Sequence, residues 1–264
     1  MPATLDSILA VTRERVAALK AEARTLERRA AGREPMPFAR ALGGTMVGVI
    51  AEVKRRSPSA GAIALGLDPA AHARAYAAGG AVAVSVLTDG PHFGGSLEDL
   101  EQVAAAVTIP VLRKDFILDE LQLLEARGAG ASAVLLIVRA LTPERLRHLA
   151  RAARDLALGT LVEAHTAEEL DRALSVEPTA VGINSRDLST FLVDLGAAEA
   201  LVPLVPARIP TIAESGIENR ADVERFARAG TDLVLVGSSV ARADDTAASV
   251  RALCGVPRTK GARA

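Results

Sequence analysis

Short apolar runs alternate with longer amphipathic stretches along most of this chain. The runs are VGVIAEVK, AVAVSVL, IPVLRK, AVLLI, GTLVE, AVGIN, IPTIAE and DLVLVG. They are rich in Val, Ile and Leu, the pattern of strands covered on both faces. Between them lie Ala/Leu/Arg/Glu segments of helical character. The runs end near Lys54, Leu87, Lys114, Ile137, Glu163, Asn184, Glu214 and Gly237. Successive ends lie between 21 residues (Glu163 to Asn184) and 33 residues (Lys54 to Leu87) apart. Each interval fits one crossover helix between parallel strands. Eight such units predict an α/β fold, a closed (β/α)₈ TIM barrel. A doubly wound open sheet is the competing arrangement. It usually needs fewer strands, and no GxGxxG follows the first run here.

Upstream of the first run, Leu5, Ile8, Thr12, Val16, Leu19, Ala23 and Leu26 recur every three or four residues. This predicts an amphipathic helix, capped by Asp6 or Ser7 and packed on the barrel as an N-terminal helical extension. Gly32 to Pro37 reads as a linker turn. Length alone would permit two smaller domains, but the unbroken rhythm predicts one unit. Its extension covers about residues 1–45 and its barrel about 46–254. The basic, Pro/Gly-rich tail from Gly255 is predicted to be disordered.

Half of the 264 residues are apolar but only 2% are aromatic, so the core must be built from Ala, Val, Leu and Ile. The net charge of −1, from 31 basic and 32 acidic residues, gives no sign of a nucleic-acid or membrane surface. No apolar stretch approaches the roughly 18 residues of a membrane span, and the N-terminus has no signal-peptide pattern. The expected setting is the cytoplasm. The lone Cys254 offers no internal disulfide and no zinc cluster, and reads as a small filler in the last helix. No metal site is predicted. The oligomeric state is not specified, and a monomer is compatible with the sequence.

Five of the eight runs end in a charged or amide side chain: Lys54, Lys114, Glu163, Asn184 and Glu214. In a barrel these ends ring one mouth, where active sites are built. A polar group inside an apolar strand is costly unless it is paired or used. Glu52 and Lys54 are two apart and share one side of the first strand. Alone they also allow an ion pair that satisfies itself. Lys114, Glu163 and the pair Asn184/Arg186 make that reading insufficient for the whole rim.

The last two runs add small residues. AESGI places Ser215 and Gly216 after the seventh, and LVGSSV places Gly237, Ser238 and Ser239 after the eighth. Small residues let backbone N–H groups approach an anion, and hydroxyls donate further bonds. Either segment alone is also found as a plain turn. Together, at the two strands that often hold phosphate in this fold, they predict a phosphate pocket. The loop RRSPSAG, with Ser57, follows Lys54 and suits a mobile cover. Phe93 and Phe116 lie near the mouth, where they either pack or stack on a flat ring. His165 lies just beyond Glu163 without companion metal ligands, and reads as a capping or hydrogen-bonding residue.

The runs IAEVKRRSPSAG, SVLTDGPHFGGSLEDL, VLRKDFILDELQLLEARGAGASAVLLI, LVEAHTAEEL, VGINSRDLSTFLVDL, IAESGI and LVGSSV resemble, in order, the indole-3-glycerol-phosphate synthase family. The resemblance runs from about Leu5 to about Ala252. It implies a lyase of tryptophan biosynthesis. Such an enzyme converts 1-(2-carboxyphenylamino)-1-deoxyribulose 5-phosphate to indole-3-glycerol phosphate, CO₂ and water. By motif it implies Lys114 as general acid and Glu163 as its acid/base partner, with Glu52 and Lys54 assisting later proton transfers and holding substrate. It further implies that Asn184 and Arg186 order the site, and gives Glu214 a catalytic place. Ser57, Ser215, Gly216, Gly237 and Ser238 would line the phosphate pocket, and Phe93 and Phe116 would contact the aromatic ring. The chemistry has no redox step, so no cofactor is implied; the expected partner is a small phosphorylated substrate. Two positions depart from the family pattern: Ser185 for Asn in NNRDL, and Ala60 for Lys in SPSKG. Strand alternation turns Ser185 away from the site. A missing loop lysine at position 60 would weaken phosphate attraction slightly.

Two other functions fit part of the pattern. A related phosphosugar barrel such as phosphoribosylanthranilate isomerase would share the phosphate loops but not the Lys54/Lys114/Glu163 set. A non-catalytic barrel that senses phosphorylated ligands would not need the acids and bases.

Overall fold

The computed structural model describes residues 4–58, 61–187, 190–259 and 263. Among them, eight parallel strands close into a barrel: β1 Gly48–Val53, β2 Ala83–Leu87, β3 Val111–Lys114, β4 Ala133–Ile137, β5 Gly159–Ala164, β6 Ala180–Asn184, β7 Thr211–Glu214 and β8 Leu233–Val236. Neighbours in space are neighbours in sequence, and β8 closes on β1 through Gly48↔Leu233 to Ala51↔Val236. Each observed strand end lies within one residue of its predicted position. The crossover helices are α3 Pro69–Gly79, α4 Leu97–Ala106, α5 Glu120–Gly128, α6 Pro143–Asp155, α7 Ala167–Leu174, α8 Leu195–Leu201, α9 Arg220–Ala229 and α10 Thr246–Leu253, following the N-terminal helices α1 Leu5–Leu19 and α2 Ala23–Ala31. Among the described residues no helix is long and apolar enough to cross a membrane.

Strand alternation divides the core in two. Val49, Ala51 and Val53 face outward into the layer shared with the helices, along with Val84, Val86, Val134 and Leu136. Ile50, Ala83, Leu112, Ala133, Leu135, Leu161, Ala180, Ile212, Leu233 and Leu235 fill the barrel interior, mixing large and small side chains. Phe38 joins this inner cluster and packs against the start of β5, where a Cβ on Gly159 would lie 2.8 Å from the Phe38 Cβ. The period of two then dictates the mouth. The next inward position after Ile50 is Glu52, after Leu112 is Lys114, after Leu161 is Glu163 and after Ile212 is Glu214.

The N-terminal segment differs from the single helix predicted. A 3₁₀ turn, Lys20–Glu22, separates α1 from α2, and the buried residues fall in two sets, Ile8/Leu9/Thr12/Val16 and Leu26/Ala30. The cap of α1 is Thr4, not Asp6 or Ser7; Ser7 closes the capping box from the N3 position. The extension is pinned at the mouth by Arg15, whose Nη2 lies 2.8 Å from both oxygens of Asp115. Asp115 also accepts from the Thr88 hydroxyl at 2.6 Å and from Arg113 Nη2 at 3.0 Å. Arg113 is 2% exposed, and its other bonds go to Thr88, Gln122 and Glu125. Removing one member of such a buried ion cluster leaves an uncompensated charge, at a cost of about 3–5 kcal/mol. Asp115→Ala is therefore expected to lose about that much in urea unfolding. Arg15→Ala should lose only about 1 kcal/mol, because Arg15 keeps contact with water. A larger loss for Arg15→Ala than for Asp115→Ala would contradict this assignment.

The tail predicted to be disordered is instead packed over residues 255–259 and at Arg263. Val47 N–H donates to the Val256 carbonyl at 2.8 Å, Met46 bridges Pro257, and Arg258 N–H donates to Thr45 O at 3.0 Å. The Arg258 guanidinium bonds Asp232 and the carbonyls of Leu42 and Met46. Arg263 pairs with Asp232 and donates to Ile209 O. Arg258 and Arg263 thus satisfy backbone and carboxylate acceptors beside the starts of β1 and β8. Cys254 lies just past α10, half-buried, with its thiol near the Gly79 and Gly80 carbonyls.

Candidate active site

The inward groups at the strand ends meet in one cavity of about 370 Å³ at the C-terminal mouth. All of the sequence-predicted candidates line it: Glu52, Lys54, Ser57, Phe93, Lys114, Phe116, Glu163, Asn184, Arg186, Glu214, Ser215, Gly216, Gly237 and Ser238. Ser185 does not line the cavity; its backbone N–H bonds the Glu214 carbonyl, as strand alternation requires. Ala60 lies outside the described residues.

Lys114 is the centre of the charge arrangement. Its Nζ is 3.5 Å from Glu163 Oε2 and 3.3 Å from Glu214 Oε2. Burial disfavours the ammonium, but Glu214, Glu163 and Glu52 outweigh it and hold Lys114 protonated, above the ordinary lysine range. The two glutamates are driven apart. Burial also works against ionised Glu163, yet the fields of Lys114 and then His165 hold its carboxyl below the usual range. Glu214 is pushed up to about 8, by burial first, with Lys114 opposing and repulsion from Glu163 and Glu52 adding to it. At neutral pH the trio is therefore an ammonium, a carboxylate and a carboxylic acid. Environments that split like groups in this way mark acid/base sites. Gly182 on β6 makes the third member possible, since a Cβ there would lie 2.1 Å from Glu214 Oε1.

Across the mouth, Lys54 Nζ lies 2.8 Å from Glu52 Oε1. The self-satisfying pair allowed by the sequence does form. It is incomplete, however, because Glu52 Oε2 is buried without a hydrogen-bond donor among the described residues. Glu163 Oε1 and both oxygens of Glu214 are in the same condition, although Glu214 Oε2 is ion-paired with Lys114 and Glu163 Oε1 with His165. Carboxyl oxygens around one cavity thus have unused accepting capacity, which a donor-bearing ligand would satisfy.

The far wall is built of small residues. Ser215 and Gly216 both adopt the left-handed conformation, at φ +66° and +72°. For serine this costs roughly 1–2 kcal/mol, a strain that is held in place at the mouth. A Cβ on Gly237 would lie 2.6 Å from Glu52 Oε1 and 2.9 Å from Lys54 Nζ, so only glycine fits there without moving the pair. Arg242, which the sequence reading did not single out, also lines the cavity and adds a cation near Gly237, Ser238 and Ser239. Only its place one turn beyond GSS marks it in the sequence. Phe93 and Phe116 form a tilted pair, ring centroids 6.3 Å apart at 39°. Both line the cavity, with Leu135, Ile137 and Leu235 among its other apolar walls. Asn184 Oδ1 accepts from Arg186 N–H at 3.0 Å, and Arg186 Nη1 donates to the Phe191 carbonyl at 2.8 Å.

Comparison with known proteins fixes the lineage. Residues 5–253 match the family model described as indole-3-glycerol phosphate synthase. The chain belongs to the indole-3-glycerol phosphate synthase family. It is 49% identical to the indole-3-glycerol phosphate synthase of Kineococcus radiotolerans, over 91% of each chain. It is 50% identical to that of a Nocardioides species over 85% of each, and 45% identical to that of Koribacter versatilis over 97% of this chain and 100% of the relative. Among solved structures, thiamine phosphate pyrophosphorylase from Pyrococcus furiosus is similar with a TM-score of 0.59 and 18% identity, covering 78% of this chain and 93% of that one. At that identity the likeness shows the barrel architecture alone.

Proposed function

We propose that this cavity closes the indole ring of 1-(2-carboxyphenylamino)-1-deoxyribulose 5-phosphate, with Lys114 as the acid of the first step. The observation that carries the reading is Lys114 itself. It is a protonated lysine at the end of an inward strand face, held between one ionised and one neutral glutamate.

The division of labour follows from the bonds. The substrate's ring carbon bearing the carboxylate attacks the ketone carbon, and negative charge grows on the ketone oxygen. Lys114 donates its proton there and stabilises the charge while it develops. An alkoxide is a strong enough base to take that proton even from an ammonium held by carboxylates. Loss of CO₂ restores the aromatic ring. The new hydroxyl then leaves as water only if it is protonated, and the neighbouring methylene must give up a proton to form the second double bond. Glu163, held ionised, is the base that takes a proton. The Glu52–Lys54 pair and protonated Glu214 supply further donors. Arg186 and Asn184 hold substrate hydroxyls. Phe93 and Phe116 flank the aromatic ring, and Ser57, Ser215, Gly216, Gly237 and Ser238 receive the phosphate. The products are indole-3-glycerol phosphate, CO₂ and water, and a cytoplasmic enzyme of tryptophan biosynthesis is the reading that results.

The test is turnover. Purified protein given this substrate is expected to produce indole-3-glycerol phosphate, followed by its fluorescence, with one CO₂ released per product. Substrate that remains unchanged in the presence of folded protein would overturn the proposal.

A further inference from the structure

Behind Glu163 lies a group that the reaction scheme above leaves unused. His165 follows Glu163 by two residues at the turn from β5 into α7, and its side chain is only 4% exposed. It stands between two carboxylates. Its Nε2 is 3.5 Å from Glu163 Oε1, and its Nδ1 is 3.2 Å from Glu169 Oε2. That same Glu169 oxygen accepts the His165 backbone N–H at 2.8 Å. Glu169, in the first turn of α7, gives its other oxygen to Arg139 Nε at 2.8 Å. Arg139, on the loop after β4, reaches Asp187 Oδ2 with Nη1 at 2.9 Å. Asp187 belongs to the loop after β6 that carries Arg186. Charges therefore alternate along one line: Glu163, His165, Glu169, Arg139, Asp187. His165 and Glu169 are not cavity-lining residues.

The geometry favours a positively charged ring. A neutral imidazole has one N–H and one lone pair, whereas an imidazolium donates from both nitrogens. With a carboxylate oxygen on each side, a neutral ring would turn a lone pair toward one of them. The charged groups around the ring are Glu163 on its own strand, Glu169 from α7 and Arg139 from the loop after β4. Burial and Arg139 work against a positive ring, but the Glu169 hydrogen bond and the attraction of Glu163 and Glu169 prevail and raise the histidine above its ordinary value. Glu169 is correspondingly pulled down to about 2, against its burial, by His165 and Arg139.

We propose that His165 is a positioning residue for the ring-closing reaction, an imidazolium hydrogen-bonded to Glu169 and ion-paired with Glu163 beside Lys114. Through Glu169 and Arg139 it ties Glu163 to the loop that presents Arg186. The proposal rests on Glu163 being the base. Wild-type protein without turnover would count against that reading, whereas normal wild-type turnover with unaffected variants would count against His165 alone.

Three variants and one spectroscopic measurement test it. His165→Ala removes the cation, so Glu163 ionises at higher pH. Its kcat is expected to fall about 10–100-fold, by analogy with the loss of groups that orient metal ligands. KM should stay unchanged, and the acid limb of the kcat–pH profile should move upward. His165→Gln keeps a donor toward Glu163 without charge, so it should recover much of kcat but keep the displaced acid limb. Glu169→Gln weakens the hold on the imidazolium, so the ring loses its second proton at lower pH. Activity should then fall at lower pH on the alkaline side, with the acid limb unmoved. A merely structural histidine would not divide the two limbs in this way. In the wild type, NMR of ¹⁵N-labelled histidine should show both His165 nitrogens protonated at pH 7. A singly protonated ring at that pH, or wild-type pH profiles in His165→Ala and Glu169→Gln, would overturn the inference. If His165→Ala does not fold, the NMR titration and Glu169→Gln still decide it.

Discussion

Lys114→Met is expected to fold, to bind substrate and to lose nearly all turnover. Removing a general acid costs about 10²–10⁴-fold in rate. Losing the charge that meets the growing oxyanion adds to that. Methionine matches the length and apolar stem of lysine, so the pocket stays filled while the proton and the charge go. Lys114→Arg should rescue poorly. It keeps the charge, but a planar guanidinium cannot replace a compact ammonium seated 3.3 and 3.5 Å from two carboxyl oxygens. Glu163→Gln should also reduce kcat, and the double variant should cost less than the sum, because the two act on the same proton inventory. The measurements are kcat and KM for each variant, with circular dichroism to confirm folding. A folded Lys114→Met protein within about threefold of wild-type kcat would exclude Lys114 as the acid, since that is far below the general-acid range.

Gly237→Asp is expected to abolish productive phosphate binding. Its Cβ alone would displace the Glu52–Lys54 pair, with contacts of 2.6 and 2.9 Å. Its carboxylate then places a negative charge where the phosphate is proposed to sit. Losing one to two charge-assisted hydrogen bonds, at ~1.5–3 kcal/mol each, weakens binding by about 10-fold at the least and about 100-fold or more at the upper value. Gly237→Ala separates the two effects, because it brings the collision without the charge and should fall between wild type and Gly237→Asp. Calorimetric titration with indole-3-glycerol phosphate reads the difference. Equal affinity for wild type and Gly237→Asp would remove Gly237 from the phosphate pocket.

The strand ends were legible in the sequence for a physical reason. A barrel strand is covered on both faces, so it reads as an apolar run, and the first inward polar residue marks where the interior meets the mouth. That rule alone locates Glu52, Lys114, Glu163, Asn184 and Glu214. Contacts between elements distant in sequence left no comparable trace. Nothing in ARAGTDL marks Asp232 as the acceptor of Arg258 and Arg263, so composition alone predicted a disordered tail. The break at Lys20–Glu22 escapes periodicity because a 3₁₀ turn preserves a nearly helical spacing while rotating the buried face. Gly182 in AVGIN looks like an ordinary strand glycine until the Glu214 carboxyl from the next strand is seen occupying the space of its absent side chain. Both carboxylates beside His165 lie in LVEAHTAEEL, but Arg139, which holds Glu169 from the loop after β4, comes from the fold.

The seam between β1 and β8 has a consequence for how the protein is made. Gly48 pairs with Leu233, and the residues just before β1 are then covered by Val256 and Arg258. These partners emerge from the ribosome some 185 residues after β1 (233 − 48). At the usual rate of ~5–20 residues per second, one edge of β1 waits about 10–40 s for its neighbour. During that interval the nascent chain exposes a Val/Ile-rich strand with free backbone donors and acceptors, the kind of edge that templates aggregation. Slowing translation between β1 and β8 is therefore expected to lower soluble yield without altering the stability of the protein that survives.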